Sequence, residues 1–171
     1  CWTHLGNAIG RSTDKFDNVL FHVLAEKRLH ASLIPDGIHI PDYAFPTLSG
    51  TLGNRLLITT DAMSGAGAPV GKYRLCQHEI TMGEDRIART PEGRLAGSTL
   101  TPFDAVFNAA AMSGQHWQIF WDALSTRPAK WLGVDHRLEA GLEASFCIIE
   151  TTPKPTLRET YLKGRRVYSA A

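Results

Sequence analysis

Nothing in this chain marks a membrane protein, a nucleic-acid binder or a disulfide scaffold. Its three cysteines, Cys1, Cys76 and Cys147, are odd in number and far apart. They form no CxxC pair, which argues against a zinc ribbon and a disulfide framework and fits thiols kept reduced in the cytoplasm. No apolar run approaches the roughly 20 residues that cross a bilayer. The opening CWTHLGNAIG has no charged segment followed by an apolar one, so it is no signal peptide. It also lacks an initial Met and begins on an apolar-then-polar segment, as expected of a chain cut from a longer one. With 18 Lys and Arg against 17 Asp and Glu, and no long run of one sign, neither nucleic acid nor an anionic membrane is expected as a partner. There is no internal repeat and no low-complexity stretch.

What is present is an ordinary globular texture of helices alternating with short buried runs. Phe16, Val19, Leu20, Val23 and Leu24 recur at the spacing of one helix face. The apolar run 31–34 has strand character and stops at Pro35-Asp36-Gly37. Pro41 suits the first turn of a helix that Gly50 and Gly53 would end. A second buried strand is expected over 55–60, ending at Asp61. Strands alternating with helices, with polar residues closing each strand, predict parallel β/α units, and in a β/α barrel chemistry collects at those strand ends. Residues 73–89 alternate loosely and predict a β-hairpin, with Gly83 near its turn. Thr101-Pro102-Phe103-Asp104 starts a helix that Gly114 closes. Trp117, Phe120, Trp121 and Leu124 form the buried stripe of the next helix. Two strand-like runs follow, 144–150 and 160–168, the second interrupted by Lys163-Gly164.

Four motifs carry residues capable of chemistry: Thr3-His4-Leu5-Gly6-Asn7-Ala8, Asp36-Gly37-Ile38-His39, Thr60-Asp61-Ala62-Met63 and Leu95-Ala96-Gly97-Ser98-Thr99-Leu100. Each alone is weak. A lone His at a strand end is more often a satisfied structural residue, a lone Asp before a helix a cap, and a Gly-Ser-Thr run a turn. Their order is what makes them specific. THxxNA, DGxH, TDAM and LAGSTL, followed by Thr126-Arg127-Pro128-Ala129 and Leu132-Gly133, resemble the N-acetylglucosamine-6-phosphate deacetylases of the amidohydrolase superfamily. The resemblance runs from residue 3 to the final strands.

That resemblance implies an α/β fold: strands about six to eight of a TIM-like barrel over 1–133, with a hairpin insertion near 72–93, and strands of a small β-sandwich over 134–171. It implies hydrolysis of the acetamide of an N-acetyl amino sugar, with N-acetylglucosamine 6-phosphate first among the substrates. It implies a divalent metal, zinc or another first-row ion, with His4 as ligand. Asp61 falls on the catalytic acid/base. Asn7, Ala8, His39, Ala96, Gly97 and Ser98 fall on substrate-binding positions. It also implies a homodimer. The residue types suit the task, because a metal ion polarises an amide carbonyl and acidifies water, and neutral imidazole is a suitable ligand. A carboxylate can take the water's proton and pass it to the departing amine. An imidazole can donate to the developing oxyanion.

Two departures accompany the match. A complete barrel needs eight strands and about 250 residues, so the glutamate and histidine ligands of earlier strands are expected upstream of Cys1. The family's Arg-Glu-Pro-Gly phosphate run is replaced by residues 9–18, where Arg11 and Lys15 are the candidate phosphate cations. The alternatives are an unphosphorylated amino sugar or another small amide as substrate, or an inactive fragment. His22, His30, His78, His116 and His136 match no motif and are read as surface or structural.

Overall fold

The computed structural model describes residues 1–7, 9–10, 13–135 and 137–170. The chain divides into two compact units, Cys1–Leu124 and Ser125–Ala171.

The first unit is built on short parallel strands. Trp2 pairs with Ala31 at the start of β1 (Ala31–Leu33), and β1 pairs in parallel with β2 (Leu56–Ile58). The ladder is carried by Ser32 N–H to the Trp2 carbonyl at 2.9 Å, Leu5 N–H to the Ser32 carbonyl at 2.8 Å and Thr59 N–H to the Leu33 carbonyl at 3.1 Å. Every residue of β1 and β2 is buried, as parallel strands covered on both faces must be. That is why both read as continuous apolar runs, not alternating ones.

Helices cover the strands. Asn18 caps α1 (Val19–Ala25), its side chain accepting from the N–H groups of Leu20 and Phe21. This helix is shorter at both ends than the 16–29 the apolar period predicts: Asn18 begins it, residues 14–17 fold into an aspartate-centred turn with Phe16 and Asp17 N–H donating to Asp14, and Glu26 ends it. The next helix, α2 (Phe45–Leu52), starts at Phe45 with Pro46 in its first turn, and not at Pro41; Gly50 lies inside it and Gly53, at φ 55, ends it. Arg55 then ties α1 to the start of β2, its guanidinium donating to the carbonyls of Val23, Leu24, Glu26, Leu29 and Thr51. The pair α3 (Pro102–Ser113) and α4 (Trp117–Leu124) follows the expected boundaries. Thr101 caps α3 by accepting from Asp104 N–H at 3.1 Å, and Gly114 closes it in the left-handed conformation. Phe120 is 1 % exposed and meets Phe45 with ring centroids 5.9 Å apart. Trp117, Trp121 and Leu124 pack beside it on the same core. The aromatic stripe is core, and burying one such side chain contributes about 1.5–3 kcal/mol.

Between β2 and α3 lies a separate antiparallel sheet of β3 (Gly71–Leu75), β4 (His78–Met82) and β5 (Ala88–Arg89). Leu75 pairs with His78, so the hairpin turns at residues 76–77 and not near Gly83. Cys76 takes φ 53 there, a conformation that side chains with a Cβ seldom adopt, so no Gly or Asn advertised the turn. Gly83 opens the link from β4 to β5 instead, accepting from Arg86 N–H at 2.9 Å. Ile80, Met63, Ala88 and Ala96 form this sheet's own small core.

The second unit holds α5 (Thr126–Leu132) and an antiparallel sheet in the order β6 (Phe146–Glu150), β7 (Thr156–Leu162), β8 (Arg165–Ser169). Its boundary precedes α5, whereas the sequence reading places the join after Gly133. The interruption at Lys163-Gly164 is a two-residue hairpin turn with φ 52 and 75, the positive pair that matches strand twist. Phe146 stacks on Tyr161 across β6 and β7 at 4.6 Å.

Candidate active site

Each strand of the parallel set delivers a motif at its C-terminal end. His4 follows the Trp2 pairing and takes φ 34. Its N–H donates to Ser32 Oγ at 2.9 Å, which fastens the first motif to β1. Its Nδ1 is buried without a hydrogen-bond partner among the described residues. Asp61 follows β2 and takes φ 50. Non-glycine residues at positive φ cost about 1–3 kcal/mol unless their surroundings hold them, and they cluster at functional sites. Two of the motif residues are in this state.

The LAGSTL loop is what holds Asp61. Ser98 N–H donates to the Asp61 carbonyl at 2.7 Å, and Met63 N–H donates to the Ser98 carbonyl at 2.9 Å. The Ser98 hydroxyl donates to the Thr60 carbonyl and accepts from Leu100 N–H. Ser98 is 4 % exposed, so its hydroxyl works as a staple between the loop and the end of β2. Gly97 takes φ 66, and a Cβ there would stand 2.9 Å from the Asp61 carbonyl oxygen.

After β1 the chain turns at Asp36-Gly37-Ile38-His39. Asp36 Oδ1 accepts from Ile38 N–H at 2.9 Å and His39 N–H at 2.8 Å, while Oδ2 accepts from His39 Nδ1 at 2.6 Å. The two side chains are only 7 % and 6 % exposed. The hydrogen bond to Asp36 raises the His39 pKa against the opposing effect of burial, with the charges of Asp36 and Asp61 acting in the same upward direction. Burial pushes the Asp36 carboxyl up, but the His39 ring and the two backbone N–H groups outweigh it and leave the pKa lowered.

A cleft of about 340 Å³ opens on this pair. Asp36, His39, Arg86, Gly97, Ser98 and Asn108 are among its walls. The fold therefore brings together His39, Gly97 and Ser98, with Asp61 fastened to the same loop. Ala96 sits in the core of the β3–β5 sheet. Asn7 is exposed on the turn after His4, its N–H donating to the His4 carbonyl at 3.2 Å. Lys15 is exposed, its Nζ 5.3 Å from the Phe16 ring centroid. Ala8, Arg11 and His136 lie outside the described residues. His22 pairs with Asp17 at the surface, 2.7 Å away. Among the described residues no three His, Cys, Asp or Glu side chains gather closely enough to hold a metal, and no helix is long and apolar enough to cross a membrane. Asp36, Arg86 and Asn108 are wall residues that the motif reading does not single out. Only Asp36 had a signal, its place in the DGxH run.

No family model matches the chain. Curated relatives do. The chain is 33% identical over 142 residues to the N-acetylglucosamine-6-phosphate deacetylase of Vibrio furnissii, covering 81% of this chain and 35% of that protein. It is 36% identical over 131 residues to an Escherichia coli K12 protein named "Putative N-acetylgalactosamine-6-phosphate deacetylase", covering 75% of this chain and 78% of that one. Among solved structures, the N-acetylglucosamine-6-phosphate deacetylase of Pasteurella multocida superposes with a TM-score of 0.84 at 25% identity, over 98% of this chain and 44% of that one. A mutant Mycobacterium smegmatis deacetylase in complex with N-acetyl-D-glucosamine-6-phosphate gives 0.85 at 25% identity, over 98% and 45%. The chain thus spans about a third of the Vibrio relative and under half of the solved chains. With its motifs in order at the ends of parallel strands, and with these identities and this fold, the chain belongs to the N-acetylglucosamine-6-phosphate deacetylase family.

Proposed function

We propose that this chain supplies the C-terminal strands, six to eight, of a metal-dependent deacetylase barrel, with β6–β8 belonging to the small sandwich domain. The reaction is hydrolysis of the acetamide of an N-acetylhexosamine 6-phosphate, giving the amino sugar phosphate and acetate. The observation that carries it is the convergence of two strand-end motifs and the LAGSTL loop. The buried Asp36–His39 pair and the Gly97-Ser98 loop share one cleft, and Asp61 is hydrogen-bonded to that loop.

The roles follow from chemistry. His39 uses Nδ1 on Asp36, so Nε2 is the ring nitrogen left to donate to an oxygen of the substrate. Asp61 takes a proton from the attacking water and returns it to the amine nitrogen, which must leave protonated. The loop bonds from Ser98 hold the Asp61 backbone in its left-handed conformation while this happens. His4 suits a metal ligand, because a buried imidazole nitrogen without a partner is the kind of donor a divalent cation satisfies. A bound ion would supply Lewis acidity to carbonyl and water. Further ligands would come from polypeptide outside the 171 residues. The relatives' names support a 2-acetamido sugar phosphate of the gluco or the galacto series as the substrate. A homodimer in the cytoplasm completes the reading.

A second reading keeps the reaction and changes the substrate. The loop 9–18 lacks the family's Arg-Glu-Pro-Gly run, and Lys15 is exposed beside Phe16. A loop of that composition also fits an unphosphorylated amino sugar. Acetate release by the intact protein, with N-acetylglucosamine and N-acetylgalactosamine each offered with and without the 6-phosphate, decides it. A strong preference for the phosphorylated sugars supports the first reading, and equal or reversed rates support the second. No release from any of them overturns both.

A further inference from the structure

We propose that Arg86 is a specificity-determining residue of this chain, the cation on the cleft wall that receives the phosphate of the sugar; this rests on the deacetylase reading above. A hexosamine 6-phosphate carries its acetamide on C2 and its phosphate beyond C5, on opposite sides of the ring. In that reading Asp61 serves the acetamide, so a phosphorylated sugar needs a cation at its other end. The loop 9–18 lacks the family's Arg-Glu-Pro-Gly run. Among the described residues, Arg86 is the one Lys or Arg on the wall of the cleft that Gly97 and Ser98 also line.

Three hydrogen bonds fix this arginine. Its N–H donates to the Gly83 carbonyl at 2.9 Å, closing the link between β4 and β5. Its carbonyl accepts from the Thr99 hydroxyl of the LAGSTL loop. Its Nη1 donates to the Ala68 carbonyl at 2.8 Å, clasping the link to the chain that follows Met63. The backbone takes φ 59, a conformation that glycine or asparagine adopts with less strain. The clasp uses Nη1 alone. Among the described residues Nε and Nη2 have no hydrogen-bond partner, and no carboxylate pairs with the guanidinium. The carboxylates of the same wall are engaged elsewhere. Asp85 pairs with Arg89 at 2.8 Å, Asp36 holds His39, and Asp104 accepts from the Thr101 hydroxyl at 2.6 Å. Arg86 is exposed and keeps its charge unneutralised beside the cleft. A guanidinium is charged at every working pH, and its fork of N–H donors matches two oxygens of a phosphate.

The test is Arg86→Gln in the intact protein, which keeps an N–H donor and removes the charge. The quantity read is the ratio of kcat/KM for N-acetylglucosamine 6-phosphate to that for N-acetylglucosamine. It should fall about 10- to 100-fold in the variant, mainly through KM of the phosphorylated sugar. Loss of the clasp alone would slow both sugars alike and leave the ratio unchanged, so an unchanged ratio overturns the proposal. A wild type with no preference for the phosphorylated sugar overturns it too. A second measurement needs no variant. Phenylglyoxal modifies accessible arginines, and mass spectrometry of the wild type reads its yield at Arg86. N-acetylglucosamine 6-phosphate should protect Arg86, and N-acetylglucosamine at the same concentration should not. Equal protection by the two sugars, or protection by inorganic phosphate as strong as by the sugar phosphate, would remove Arg86 from substrate recognition. If the wild type releases no acetate, the reaction is wrong, and protection alone decides whether Arg86 holds the sugar's phosphate.

Discussion

A Cβ on Gly97 would stand 2.9 Å from the carbonyl oxygen of Asp61, closer than such contacts occur. The same carbonyl accepts from Ser98 N–H at 2.7 Å. The loop can lie flat against the end of β2 only because residue 97 has no side chain and tolerates φ 66. Gly97→Ala should therefore cost about 1–3 kcal/mol and displace Asp61. Gly67→Ala is the control, because φ there is 74 but nothing lies within 4 Å, so only backbone strain of about 1–2 kcal/mol applies. Comparing the two thermal midpoints and the two kcat values checks this. Equal losses at both positions would show that the close approach does not matter.

Asp61→Asn preserves size and tolerates positive φ as well as Asp does. It removes the base, so kcat should drop by about 10²–10⁴-fold while the thermal midpoint stays near that of the wild type. Near-normal turnover would remove Asp61 from proton transfer.

His4→Ala deletes the one imidazole among the described residues whose buried nitrogen lacks a partner. Metal bound per chain, measured by emission spectroscopy on the intact protein, should fall, with affinity lowered at least about tenfold. Unchanged stoichiometry would show that His4 is not a ligand and that its Nδ1 has some other partner.

Arg55 donates to five carbonyls around the end of α1 and α2. Methionine in its place retains the apolar stem and strips all five bonds. Arg55→Met should destabilise the first unit by about 2–4 kcal/mol, read by urea unfolding. A change within about 0.5 kcal/mol would mean that water replaces the guanidinium at no cost.

The Asp36–His39 pair makes stability depend on pH with a defined sign. Because the hydrogen bond to Asp36 raises the His39 pKa above 6.5, its share of stability is complete below 6.5 and fades as pH rises through the raised folded value. Asp36 is lowered from 3.8, because its hydrogen bonds outweigh burial, so its share is complete above 3.8 and is lost as acid passes the lowered folded value. The pair contributes in full between these two ordinary values. The stability gap between wild type and Asp36→Asn should be wider at about pH 5.5 than at about pH 9, and a gap that widens towards pH 9 would contradict the sign.

The sequence by itself determined the family and the order of the parallel units, because apolar runs that end in polar motifs survive as local patterns. THLGNA, DGIH, TDAM and LAGSTL are such patterns, as are the Thr101 cap and the Gly114 stop of α3. Helix starts were less legible: the Asp14 turn delays α1 to Val19, and α2 begins at Phe45, with Pro46 in its first turn, although Pro41 also suits a helix start. The hairpin turn at Cys76 was hidden because strand pairing, not residue type, imposes its positive φ. Only the tertiary structure decided which motif residues meet. It gave the Ser98 hydroxyl to the Thr60 carbonyl, put Ala96 into a core, and left Asn7 exposed. It also joined Asp36 to His39 through an oxygen the turn does not use. Those outcomes depend on the direction of a side chain and the burial around it, which are set by strands and loops far apart in the chain and cannot be read from any one segment.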